Sequence, residues 1–158
     1  MSQESVTTDA LQRLISQLIG TQPWRSRAGS GTGSIFTLQF GEPLPANPRE
    51  GAFSLMVFCA WHIVREEQIR LSWHDDPDQV LAPGLAALEG HTVTGAELSS
   101  WYDLVMRLSN GQELHILNDF SPRRAFDECW SIIHNGQQCH CVQPNGSIAL
   151  TSVGSRTS

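Results

Sequence analysis

Near the start of the chain, apolar residues recur at helical spacing. Between Thr8 and Ile19 they follow the i, i+3, i+4, i+7, i+8 pattern of a single helix face. The residues are Leu11, Leu14, Ile15, Leu18 and Ile19. Thr8 can cap such a helix and Gly20 can end it. The pattern predicts an amphipathic helix packed on a sheet, and a partner-binding helix is the alternative, because both have the same anchor spacing.

Further along the chain, the pattern changes to the short apolar and alternating runs that are typical of β-strands. The predicted strands are Ile35–Phe40, Phe53–Phe58, Trp61–Val64, Ile69–Trp73 and Gly90–Leu98. The segments between them are rich in Gly, Pro and Ser. We expect a flexible loop over Gln22–Gly33, a rigid connection over Gly41–Gly51, and a loop or short helix broken at Pro83 over Pro77–Leu88.

Two hairpins are predicted from their turn residues. In Tyr102–Leu117, a three-residue loop with Gly111 in the left-handed conformation keeps the apolar residues on one face. It pairs Met106 with Leu114, Leu104 with Ile116 and Arg107 with Glu113. In the second hairpin, which runs from Cys129 to Val142, a two-residue Asn135-Gly136 turn is expected. It places Cys139 opposite Ile132, Cys141 opposite Trp130 and His140 opposite Ser131 on the other face.

These elements predict an α+β fold, a mainly antiparallel β-sheet of roughly six to eight strands covered by the N-terminal amphipathic helix. The length of 158 residues suits one core. We therefore expect residues 1–150 to form a single globular domain. The chain after Asn145 is rich in Ser, Thr and Gly, and we expect it to fray, with residues 151–158 as a disordered tail.

Composition narrows the function classes. The net charge is -6, and all ten cationic residues are arginines. The absence of lysine excludes a Schiff-base lysine, a P-loop lysine and a serine–lysine dyad. The acidic balance argues against nucleic acid as a partner. The sequence shows neither a signal peptide nor a membrane span, so we expect a cytoplasmic protein with no membrane partner, in which the four cysteines are thiols.

Two clusters carry possible site chemistry. Cys139-His140-Cys141, with Cys129 and His134, suggests a zinc site, but strand alternation separates His140 from the cysteines, and no CxxC pair is present. We therefore predict buried structural thiols, with no metal and no cofactor. His74-Asp75-Asp76 could supply a base and two carboxylates, or could simply form the turn before Pro77.

The five tryptophans are numerous for this length and could line a binding surface, although core packing is the default. No nucleophile motif of the Gly-x-Ser-x-Gly type occurs, and no catalytic residue is assigned. The candidate binding residues are Trp61, Trp73, His74, Asp75, Asp76 and Trp101.

From Ser34 to Ile132, the order of features resembles small uncharacterised bacterial proteins of the domain-of-unknown-function type. The features are Phe36 to Gly41, Trp61-His62-Ile63, Ile69 to Ser72 with Asp75-Asp76, Leu88-Glu89-Gly90, Asp103 to Met106, Asn110 to Leu114 and Trp130-Ser131-Ile132. Some such families are similar to immunity proteins that neutralise toxins. The resemblance implies no catalytic residues.

The favoured function is therefore a non-enzymatic domain that binds another macromolecule, with an immunity-like inhibitor of a basic toxin as a concrete instance. An exposed acidic patch rimmed by tryptophan would support it. One alternative is a small-molecule-binding protein or metal-dependent enzyme, which needs a pocket around His74, Asp75 and Asp76. The other is a homo-oligomeric structural module, which needs a flat apolar surface lined by the N-terminal helix.

Overall fold

A computed structural model describes residues 4–5, 7–29, 31–118 and 129–152. The helices are α1 (Thr8–Ser16) and α2 (Ala82–Ala86), and a π-helical turn (Pro77–Leu81) leads directly into α2. The strands are β1 (Glu4–Ser5), β2 (Pro23–Arg27), β3 (Phe36–Pro43), β4 (Gly51–Val57), β5 (Ala60–Arg65), β6 (Gln68–Ser72), β7 (Val93–Leu98), β8 (Leu104–Leu108), β9 (Gln112–Leu117), β10 (Trp130–His134), β11 (Gln138–Val142) and β12 (Ile148–Ser152).

Within the described residues, the strands form two antiparallel sheets. The larger has the order β1-β12-β11-β10-β4-β3-β2, and the smaller has the order β6-β5-β9-β8-β7. The chain passes from one sheet to the other between β4 and β5. This confirms the predicted fold class of antiparallel sheet with an N-terminal helix. The expected single sheet of roughly six to eight strands is wrong, because the twelve described strands are divided between two sheets.

One hydrophobic core joins the two sheets. Phe36 on β3 and Trp61 on β5 are buried, and their rings meet edge to face with centroids 4.7 Å apart. Four apolar residues of the predicted helical stripe, Leu11, Leu14, Ile15 and Leu18, are buried in the same core. Ile19 is 46% exposed. The stripe is therefore internal and is not available to a partner.

Two details of helix α1 differ from the prediction. Thr7, not Thr8, caps the helix, because the Thr7 side chain accepts a hydrogen bond from the amide of Ala10. The helix ends at Ser16. Backbone hydrogen bonds between residues three apart continue to Ile19, and the amide of Gly20 then donates to Val93 O. The helix thus joins β7 through its final turn.

The loop predicted over Gln22–Gly33 is wrong for its first part, which forms β2. Proline argued against a strand here, but Pro23 is the first residue of an edge strand, where no ladder bond from its nitrogen is needed. The prediction that Pro83 breaks a helix is also wrong. Pro83 lies in the first turn of α2, where proline is tolerated.

The Tyr102–Leu117 hairpin is confirmed in its register. Leu104 pairs with Ile116, Met106 with Leu114 and Arg107 with Glu113. Gly111 has φ +87°, as the three-residue loop requires.

The second hairpin differs from the prediction by one residue. Trp130 pairs with Val142, Ile132 with His140, and His134 with Gln138, so the loop has three residues. The reason is tertiary: β10 is a central strand, and Asn135 N continues its ladder to β4 by donating to Ala52 O. The core face consequently receives Val142 and His140 in place of the two cysteines.

The tail prediction was wrong at its start. Ile148–Ser152 form β12, which pairs with β11 and buries Ile148 and Ala149. Residues 153–158 lie outside the described residues.

Candidate functional site

Of the six predicted binding residues, Trp61 lies in the core. Its side chain has no exposed area, and its indole nitrogen donates to Ser34 O at 2.8 Å. Trp61 therefore joins the two sheets and has no surface to offer a partner.

His74, Asp75 and Asp76 form an exposed turn after β6. Asp75 Oδ2 accepts from Ser72 N at 2.8 Å. Asp76 Oδ1 accepts from Asp78 N and Gln79 N, and so caps the π-helical turn. His74 stacks at a tilt on Trp73, with centroids 4.3 Å apart. The two carboxylates thus accept hydrogen bonds from different backbone amides, and they do not converge on one ligand position.

Three exposed apolar residues, Ile69, Trp73 and Val80, lie on or beside β6, which is an edge strand of the smaller sheet in the described chain. We call them together the edge surface. Their exposed fractions are 61%, 38% and 37%. Ile69 lies on β6, Trp73 follows β6 directly, and Val80 lies on the π-helical turn that contacts β6.

Carboxylates flank the edge surface at both ends. Glu66 and Glu67 form the β5–β6 turn, and both have positive φ, at 54° and 62°. Asp75, Asp76 and Asp78 follow the other end of β6, and all five residues are exposed. Two cations also lie there: Arg65 ends β5 beside Glu66, and Arg70 lies 3.7 Å from the Glu66 carboxylate. The residues that precede and follow β6 are thus mainly acidic.

Trp101 is 59% exposed, and a firmly bonded turn holds it. Ser99 Oγ accepts from Trp101 N and Asp103 N, and the buried Asn118 donates to Trp101 O at 3.0 Å. The neighbouring Tyr102 has φ +65°, which is uncommon for a residue with a side chain. Trp101 lies at the same end of the smaller sheet as Trp73, since β8 starts beside the end of β9 that pairs with Ala60.

The outer face of the smaller sheet carries a continuous polar network. Arg107 contacts Glu97 at 3.2 Å and Glu113 at 3.5 Å, and Glu113 also contacts His115 Nε2 at 2.9 Å. His115 stacks on His62, with centroids 5.1 Å apart. Burial lowers the pKa of His62 below its usual value, and the charge of His115 lowers it further. His62 therefore stays neutral to lower pH than an exposed histidine.

The cysteines lie in two pairs that the sequence alone did not reveal. Cys139 Sγ and Cys141 Sγ are 3.2 Å apart on the outer face of the larger sheet. Cys59 hydrogen-bonds to Cys129, whose carbonyl accepts from Cys59 N. This thiol contact and burial raise the pKa of Cys59, so its protonated form is favoured at neutral pH. Within the described ranges, no group of three His, Cys, Asp or Glu side chains is placed so that it could hold one metal ion.

The sequence did not point to Ile69 or Val80 as surface residues. The sequence pattern places Ile69 in a strand without indicating that it is exposed, and its exposure follows from the edge position of β6. The available signal was the short polar Arg65-Glu66-Glu67-Gln68 segment beside it, which is typical of a solvated edge.

Comparisons with known proteins give no assignment. No protein-family model matches the chain, and neither a curated protein nor a solved structure matches it. The resemblance to small uncharacterised bacterial proteins remains a prediction. In the described part of the chain, no helix has the length and apolar character needed to cross a membrane.

Proposed function

We propose that this chain is a non-enzymatic protein-binding domain that holds a basic partner at its edge surface. The observation that carries the proposal is that Ile69, Trp73 and Val80 are all exposed and lie on or beside one edge strand, with exposed carboxylates following both of its ends. Single exposed apolar residues are ordinary on protein surfaces, whereas grouped ones mark interaction sites.

The apolar residues would supply the affinity. Full burial of a side chain of this kind stabilises a complex by about 1.5–3 kcal/mol, and tryptophan is enriched among the residues that dominate binding energy. Trp73 is held in place, since its amide donates to Trp61 O at 2.9 Å. A partner would therefore meet a side chain on a fixed backbone.

The carboxylates would select the partner. Acidic residues around an apolar centre attract a basic protein and repel an acidic one, mainly through the association rate. The chain's net charge of -6 acts in the same direction. An immunity-like inhibitor of a basic toxin would need a surface of this kind.

The two alternatives have less support. A catalytic or metal site at His74, Asp75 and Asp76 would need a pocket, but these residues form an exposed turn whose carboxylates cap backbone amides. A homo-oligomer built on the N-terminal helix would need an exposed stripe, but four of the stripe's apolar residues are buried within the chain.

Selection from a random displayed-peptide library tests the proposal. We expect enriched peptides that combine Arg or Lys with aromatic or aliphatic residues and bind more weakly at high salt. Binding should disappear in the double variant Ile69→Ser/Trp73→Ser and persist in Ile19→Ser, whose exposed isoleucine lies at the end of the helical segment. Unchanged thermal melting of the variants serves as the folding control. Enrichment of acidic peptides, or equal binding by the double variant, would refute the proposal.

A further inference from the structure

A cavity of about 550 Å³ lies between strands β2 and β3 and helix α2. This size is within the range of about 300–1,000 Å³ that is typical of small-molecule sites. Much of its wall is apolar. The apolar lining residues are Ala28, Ile35, Phe36, Met56, Ala82 and Ala86. None of the residues of the edge surface lines this cavity, so the two features are separate.

One carboxylate in the cavity wall has a fixed position. Glu89 Oε2 accepts from Ser26 N at 2.9 Å and from Ser26 Oγ at 2.7 Å. Glu89 is half-buried, and among the described residues no donor reaches its Oε1. Two bonds to one oxygen therefore fix the carboxylate and leave the other oxygen for a ligand that carries a positive charge or a donor.

A cation lines the same cavity. Arg27 on β2 is paired in the ladder with Thr37, which also lines the cavity. Within the described ranges, Arg27 forms no ion pair, with Glu89 or with any other carboxylate. The cavity is thus lined by two residues of opposite charge that form no ion pair with each other, beside an apolar wall.

We propose that this cavity binds a small zwitterion, an amino acid with an apolar side chain or a molecule of the same chemistry. The ammonium group contacts Glu89, the carboxylate contacts the planar guanidinium of Arg27, and the side chain packs on Ile35 and Met56. Arginine suits the carboxylate because it can donate two parallel hydrogen bonds. The site is independent of the proposed protein-binding function.

Titration of the whole chain with L-leucine, L-methionine and L-phenylalanine, followed by ¹H–¹⁵N NMR, tests this assignment. We expect at least one to bind at millimolar concentration or below, with shifts centred on Ser26, Thr37 and Glu89. For the amino acid that binds, the analogue without the carboxylate and the analogue without the amine should each bind about tenfold more weakly or worse. No binding by any of the three would overturn the proposal, and so would equal binding of either analogue.

Two variants test the contribution of the Glu89 and Arg27 charges to binding. Glu89→Gln keeps an oxygen that can accept from Ser26 but removes the charge, and Arg27→Gln removes the guanidinium. Each should weaken binding about tenfold or more. Glu97→Gln, an exposed carboxylate on β7 outside the cavity, is the matched control and should bind as the wild type does. Wild-type affinity in Glu89→Gln, with an unchanged NMR spectrum, would contradict the assigned role of Glu89.

Discussion

Replacing His140 with leucine should stabilise the protein. His140 faces the core between Ile132 and Leu150 and is 9% exposed, and among the described residues its Nδ1 has no hydrogen-bond partner. An unsatisfied buried polar atom costs about 1–3 kcal/mol, and leucine carries none. We therefore expect His140→Leu to raise the free energy of unfolding at pH 7 by about 1–3 kcal/mol.

The gain should increase in acid. Burial lowers the pKa of His140 in the folded protein, and the charge of His134 lowers it further. As the pH falls below the unfolded value of about 6.5, the unfolded chain binds a proton that the folded chain does not. The wild type then loses up to about 1.4 kcal/mol per pH unit at this residue, until the pH reaches the folded pKa. The variant lacks this loss.

Urea denaturation at pH 7 and pH 5 measures both effects. His74→Leu, at an exposed turn, is the control and should change stability by less than about 0.5 kcal/mol. In the register with a two-residue turn, His140 would lie opposite Ser131 on the other face. A destabilised His140→Leu variant, or one with the wild-type stability and pH dependence, would therefore refute both the core position of His140 and the register.

Three further substitutions test other parts of the fold. Gly51→Ala should destabilise the protein by about 2 kcal/mol or more, because a Cβ at this position would collide with Phe40 O. Gly95→Ala, where a Cβ has room, should be tolerated. Urea denaturation compares the two variants, and equal stability would contradict the close approach of Gly51 to Phe40. Thr7→Ala should cost about 1 kcal/mol by thermal melting, and an unchanged melting temperature would contradict the cap at Thr7. Arg107→Ala should cost less than about 1 kcal/mol at low salt and less still at high salt, because its ion pairs are exposed; a salt-independent loss of several kcal/mol would be inconsistent with that.

Local sequence patterns predicted the structure correctly where it depends on residues that are close together in the chain. The helical stripe predicted α1, and alternation predicted most strands of both sheets. The Tyr102–Leu117 hairpin was predicted to the residue, because its turn and its two faces are contained in one short segment. The turn character of Asp75 and Asp76 was also one of the two readings available from the sequence alone.

Tertiary structure decided whatever depends on distant partners. Pairing of β10 with β4 shifted the second hairpin by one residue and placed His140 in the core. The edge surface exists because β6 has a neighbour on only one side in the described sheet, and long-range strand pairing sets that position. Ser26 and Glu89 lie 63 positions apart, yet together they fix a carboxylate in the cavity. A sequence determines which faces are apolar, whereas long-range packing decides which faces meet and which remain open.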